Sequence, residues 1–127
     1  AGGGGGSGGA PAMRQAVLDV GGRATNIVTA AYADRILVII TQRGKIGTFI
    51  DARADDRPDG PPSFTIRTLL GAREERVFEL YARQLVSRMA ATTARPLLLG
   101  IALDDTSADC ARAVLARLDE PDLAVWK

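Results

Sequence analysis

Two long aliphatic runs constrain this chain more than any other feature. Residues 36 to 40 read ILVII and residues 97 to 103 read LLLGIAL, with no polar side chain in either. A strand with one wet face alternates apolar and polar residues, because successive side chains point to opposite sides. The unbroken run at 36 to 40 instead predicts a central strand covered on both faces, and the second run reads as another buried strand. Any fold for this chain must bury both.

The segments around them carry the signals of further strands. QAVLDV (15–20) predicts a short strand, Gly21-Gly22 a turn, and ATNIVTAAY (24–32) a segment rich in β-formers. Ala33-Asp34 allows a tight reversal into RILVIITQ (35–42). KIGTFID (45–51) follows at once and is expected to pair antiparallel with that strand. ARADDRPDGPP (52–62) is a loop by its Asp, Pro and Gly content. In SFTIRTLL (63–70), Phe64, Ile66 and Thr68 alternate with Thr65, Arg67 and Leu69, a half-exposed strand broken by Gly71.

Beyond Gly71 the spacing changes. Phe78, Tyr81, Leu85 and Met89 recur at three and four, which predicts a helix over 72–91 with Glu74 and Glu75 in its first turn. Residues 105–120 predict a second helix, with Thr106 and Asp109 as a capping box. Cys110, Val114 and Leu118 line one side of it, so Cys110 reads as a core residue rather than a nucleophile. DLAVW (122–126) predicts a last short strand, with Trp126 closing a core edge.

A run of strands followed by late helices indicates an α+β fold. The expected form is a single antiparallel sheet of about six strands with two helices on one face. Its other face is then only partly covered, which predicts a dimer-forming protein. The glycine-rich opening, residues 1–12, is expected to be a flexible leader, either a tag remnant or a natural tail, and residues 13–127 a single domain.

TQRGKIGT (41–48) places two glycines and a lysine directly after a strand, where a phosphate loop would stand. A phosphate loop needs G-x-x-x-x-G-K-[ST] and a following helix, whose N-terminal amides hold the anion. Here Ile46 replaces the hydroxyl residue and a strand follows, so the stretch reads as a tight hairpin. Gly44 suits its positive-φ position, and Gly47 is expected at a bulge or close contact. Arg43 and Lys45, near the tip, are the candidate contacts to a partner.

Charge and chemistry exclude several classes. The 16 basic and 15 acidic residues nearly cancel and are scattered, which argues against nucleic acid or an anionic membrane as partner. The chain has no histidine and one cysteine, which removes histidine triads, histidine metal sites and an internal disulfide. Asp51, Asp55 and Asp59 fail the EF-hand spacing, with Pro62 where the bidentate Glu is required. Asp55-Asp56 and Asp104-Asp105 are explained as loop and cap residues, and Ser63, Ser87 and Ser107 have no nucleophile context. No enzyme, cofactor or metal is expected, and the default location is the cytoplasm.

Five segments in order carry a family likeness: ILVIITQRGKIGTFI, TIRTLLG, VFELYARQLVSRMA, RPLLLGIALDD and the terminal AVW. Together they resemble the proteasome assembly chaperone 3 family, over about residues 16–126, with T-Q-x-G-K-x-G-T the most distinctive piece. The resemblance implies a small non-enzymatic chaperone of the cytoplasm and also the nucleus. It implies a dimer, with an assembly chaperone 4-like partner or with itself. It further implies binding to a proteasome α-type subunit, promotion of α-ring formation in the 20S core particle, and release before maturation. Two other classes stay open at this level. One is a roadblock- or longin-like dimerisation scaffold, and the other a small-molecule or nucleotide binder using the 43–47 turn.

Overall fold

Gly21 and Gly22 reverse the chain between its first two strands. Both take positive φ, 59° and 82°, a region that glycine enters without a Cβ clash and that two-residue hairpin turns require. The Asp19 carboxylate accepts the Gly22 N–H at 2.8 Å and closes the turn. In the computed structural model, which describes residues 12–42, 47–55, 59–71 and 76–127, this hairpin joins β1 (Ala12–Val20) to β2 (Arg23–Ala31). A second reversal, tied by the Tyr32 N–H to the Arg35 carbonyl, leads into β3 (Ile36–Thr41), antiparallel to β2.

The next strand does not return beside β3. β4 (Thr48–Ala54) pairs with β5 (Phe64–Leu70) on one side and with β6 (Leu97–Ala102) on the other. The strand order is β1-β2-β3-β6-β4-β5, with β3 and β6 parallel. The expected antiparallel pairing of residues 35–42 with 45–51 is therefore corrected, and the sheet is mixed rather than wholly antiparallel. The cause lies in the two aliphatic runs. β6 is apolar on both sides, whereas β4 carries Asp51 and Arg53 at alternate positions. The strand without charges takes the more central place next to β3, and β4, also flanked on both sides, lies one place further out.

Two helices cover one face. α1 (Arg76–Met89) turns Phe78, Tyr81, Leu85 and Met89 inward, and α2 (Ala108–Leu118) turns Cys110, Val114 and Leu118. They close over Ile27, Ile36, Val38, Ile40, Ile50, Leu97, Leu99 and Ile101, all fully buried. At about 1.5–3 kcal/mol for each large aliphatic side chain removed from water, this single core is the main stabilising term.

Three details differ from the sequence expectation. α2 is capped by Ser107, not Thr106: its extended backbone (φ −72°, ψ 158°) lets the hydroxyl accept the Cys110 N–H. Residues 122–126 form turns rather than a strand, because their backbone bonds are local, as in Leu123 and Ala124 N–H to the Glu120 carbonyl. Leu123 and Trp126 are nonetheless buried, and the Thr29 hydroxyl donates to the Leu123 carbonyl at 2.7 Å. Glu74 and Glu75 lie outside the described residues.

Candidate interaction surface

Strand alternation decides which residues the helices leave uncovered. In β3, Ile36, Val38 and Ile40 point into the core, so Leu37 and Ile39 point the other way, and both are partly exposed. The strand registers extend this outer face across the sheet in two rows. One row is Gln15, Val28, Ile39, Gly100, Phe49 and Leu70; the next is Met13, Ala30, Leu37, Leu98, Asp51 and Arg67. No other described element lies over them.

The centre of this face is aliphatic, and its exposed rim mixes apolar with polar residues: Met13, Val17 and Leu70 are each more than half exposed, and Gln15, Asp19 and Asn26 are exposed as well. At β4/β5 the register shifts between Phe49 and Ile50, so that Leu70 stands opposite Phe49 and Leu69 is the extra residue of a bulge. Leu69 is exposed too. Such a run of uncovered aliphatic side chains is what a protein partner covers. One corner is polar. Asp51 is gripped by two Arg53 nitrogens at 2.9 Å each, and Arg67 stands beside it.

Of the residues proposed from sequence, Arg43, Gly44 and Lys45 lie outside the described residues. Gly47 is described, and it is not itself at the bulge, which falls two residues later. A Cβ on Gly47 would meet open space, while its carbonyl oxygen lies against Gly71, so the close contact there is made by its backbone. Sequence reasoning also passed over Gln42, the first residue after β3. Its amide oxygen accepts the backbone N–H groups of Asp104 and Asp105, at 2.9 and 3.0 Å, and its nitrogen donates to the Thr25 hydroxyl. One side chain thereby ties the end of β3 to the lead-in of α2 and to β2. Only the tertiary fold reveals this, since a glutamine in a turn carries no local signal.

The remaining polar groups explain themselves structurally. Burial pushes the Cys110 thiol up, and the Tyr81 hydroxyl donates to its sulfur at 3.8 Å, so the thiol is protonated and enclosed. Burial likewise raises the Tyr81 phenol far above its ordinary value. Asp105 is held below the usual carboxylate range by the Ser107 hydroxyl and N–H. Asp55 accepts hydrogen bonds from Ser63 and Thr65. Among the described residues no three acidic, cysteine or histidine side chains gather around a metal-sized space, and no helix is long and apolar enough to cross a membrane.

Comparison with known proteins bears on what this surface is for. The family profile described as Proteasome assembly chaperone 3 matches residues 38–121. This chain belongs to the proteasome assembly chaperone 3 family. A family member from Nematostella vectensis is 30% identical over 119 residues, covering 86% of this chain and 87% of the relative. The Bos taurus protein of the same name is 31% identical over 104 residues, covering 80% and 84%. A chain from the crystal structure of a chaperone complex for yeast 20S proteasome assembly superposes with a TM-score of 0.67, over 92% of this chain and 98% of that one. At 14% identity that likeness speaks for the fold alone. Within the proteasome assembly chaperone 3 family, then, this member presents a sheet with helices on one side and an uncovered aliphatic face on the other.

Proposed function

We propose that this protein is a non-enzymatic chaperone of 20S core-particle assembly that works as a dimer paired through the outer face of its sheet. The partner in that pairing is an assembly chaperone 4-like subunit or a second copy of the chain. The pair binds an α-type subunit, promotes α-ring formation and departs before the particle matures, in the cytoplasm and the nucleus. Arg43 and Lys45 are the proposed contacts to a partner, and residues 13–127 act as the working domain. Family membership supplies the biological role, and the uncovered aliphatic face is the observation that carries the pairing.

The face has the size for this. Six strands about 4.8 Å apart and about six residues long at about 3.3 Å each give a flat area of roughly 29 by 20 Å. Side-chain relief raises the accessible area toward the ~800 Å² per partner of a standard interface. Two such sheets stacked face to face would place four layers in order: helices, sheet, sheet, helices.

Co-expression with each α-type subunit and with the 4-like subunit, followed by size-exclusion chromatography, tests the proposal. Co-elution with one α-type subunit is expected. Folded protein that elutes alone in every combination would overturn it.

A further inference from the structure

The outer face is aliphatic at its centre and charged at the corner formed by β4 and β5. Arg67 stands there at the end of the row Met13, Ala30, Leu37, Leu98, Asp51, and it is exposed. Among the described residues it has no ion pair or side-chain hydrogen bond. Asp19, Asp51 and Asp55 share the face with it, Asp34 borders it beside Leu37 and Leu98, and each already has a partner. Asp51 accepts from Nε and Nη2 of Arg53, Asp55 from the Ser63 and Thr65 hydroxyls, and Asp19 from the Gly22 N–H in the first hairpin.

Consider two copies laid face to face with their strands roughly aligned, as stacked sheets pack. A two-fold axis close to the strand direction reverses the strand order, so the β5 end of each row lies on the β1 end of the other. Arg67 of one copy then lies on Met13 of its mate. An axis across the strands sets β5 on β5, and Arg67 meets either its own counterpart or the region past the strand end. Neither arrangement sets opposite Arg67 a carboxylate that is without a partner of its own. An uncompensated cation drawn into an apolar contact opposes association, while a carboxylate placed opposite it favours the partner that brings one.

We infer, resting on the sheet-to-sheet pairing proposed above, that Arg67 selects the occupant of the outer face: it disfavours a second copy of this chain and favours a different protein whose facing sheet presents an aspartate or glutamate opposite it. The acids of the same corner, Asp51 and Asp55, are held by Arg53 and by the Ser63 and Thr65 hydroxyls, and neither bonds to Arg67.

The test uses Arg67→Met on the full chain. The site is exposed and unpaired, so the variant keeps its fold. Self-association is read by sedimentation velocity, and affinity for the purified 4-like subunit by titration calorimetry. The expected result is a pair of opposite shifts, self-association tightening about fivefold or more and heterotypic affinity weakening about tenfold. Shifts in the same direction, or neither exceeding about twofold, would overturn the role of Arg67. Ile39→Glu is run in parallel, at the centre of the face. If it abolishes both associations while Arg67→Met moves neither, the pairing stands and the selector does not. If it leaves both associations intact, the pairing itself is wrong, and Arg67's role goes with it.

Discussion

Gly71 sits against Gly47 so closely that a Cβ on Gly71 would lie 2.2 Å from the Gly47 carbonyl oxygen and 2.7 Å from Thr48 Cα. Its φ of +100° is also one that L side chains rarely adopt. Backbone meets backbone here, at the end of β5 and the start of β4, so neither side has a flexible group that could give way. Gly71→Ala is expected to cost about 2–4 kcal/mol, from positive-φ strain and the displaced strand together. Gly47→Ala has open space and no positive φ, so it should stay within about 0.5 kcal/mol of wild type. Denaturant unfolding of the two variants checks this, and equal effects would show that the contact is not the constraint.

The outer face yields a second expectation. Ile39 lies at its centre, between Val28 and Gly100, and is partly exposed in the single chain. If the proposed pairing holds, Ile39→Glu should keep its fold by circular dichroism and raise the dissociation constant of the pair at least about tenfold. A wild-type dimerisation constant in that variant would remove this face as the interface.

Gln42 supports a third. Gln42→Leu keeps the bulk of the side chain but leaves the Asp104 and Asp105 N–H groups without their acceptor. The expected destabilisation is about 1–3 kcal/mol. Hydrogen exchange should show the largest loss of protection at those two amides. Unchanged protection there would mean that solvent replaces the glutamine without cost.

A fourth concerns acid. Arg117 grips Asp122 through two nitrogens, each at 2.8 Å, and this hydrogen bonding holds the Asp122 carboxyl below its ordinary value of 3.8. A group whose pKa is lowered on folding adds stability above its unfolded pKa and loses it as pH falls through the folded one. Asp122→Asn should therefore melt below wild type at about pH 7, with the gap closing as pH drops below about 4. Asp122 is exposed and Arg117 only partly buried, so the gap is small. A gap that persists at about pH 2 would point to a packing role for Asp122 instead.

What the sequence disclosed and what it hid follow one division. Alternation and periodicity act locally, and they located the strand at 63–70, both helices, the Gly21-Gly22 turn and the burial of Cys110. The neighbour of β3 is not a local property. Chain proximity favoured β4, but β6 takes the place after a crossover through β4, β5 and α1, and no turn chemistry records that. A trace of it was present, since residues 36–40 and 97–102 are the two segments without charge or alternation, and such segments belong side by side. The outer face was legible from having two helices on one side, although the run at 36–40 by itself predicts cover on both faces: Leu37, Ile39 and Leu98 lie on the side that the helices do not reach. Its corner was not, because Arg67 reads as an ordinary outward residue until the register sets it beside Asp51.

The position of β6 also orders events during synthesis. Before residues 97–102 emerge from the ribosome, β1, β2 and β3 can form one meander and β4 with β5 another, but nothing joins them. β6 bonds to both, so the two pieces become one sheet only when most of the chain is already outside the tunnel. Until then the edges of β3 and β4 stay open, each a template for pairing with other nascent chains. A protein that guards unfinished assemblies thus passes through its own exposed interval, and any delay in translation just before Leu97 would lengthen it.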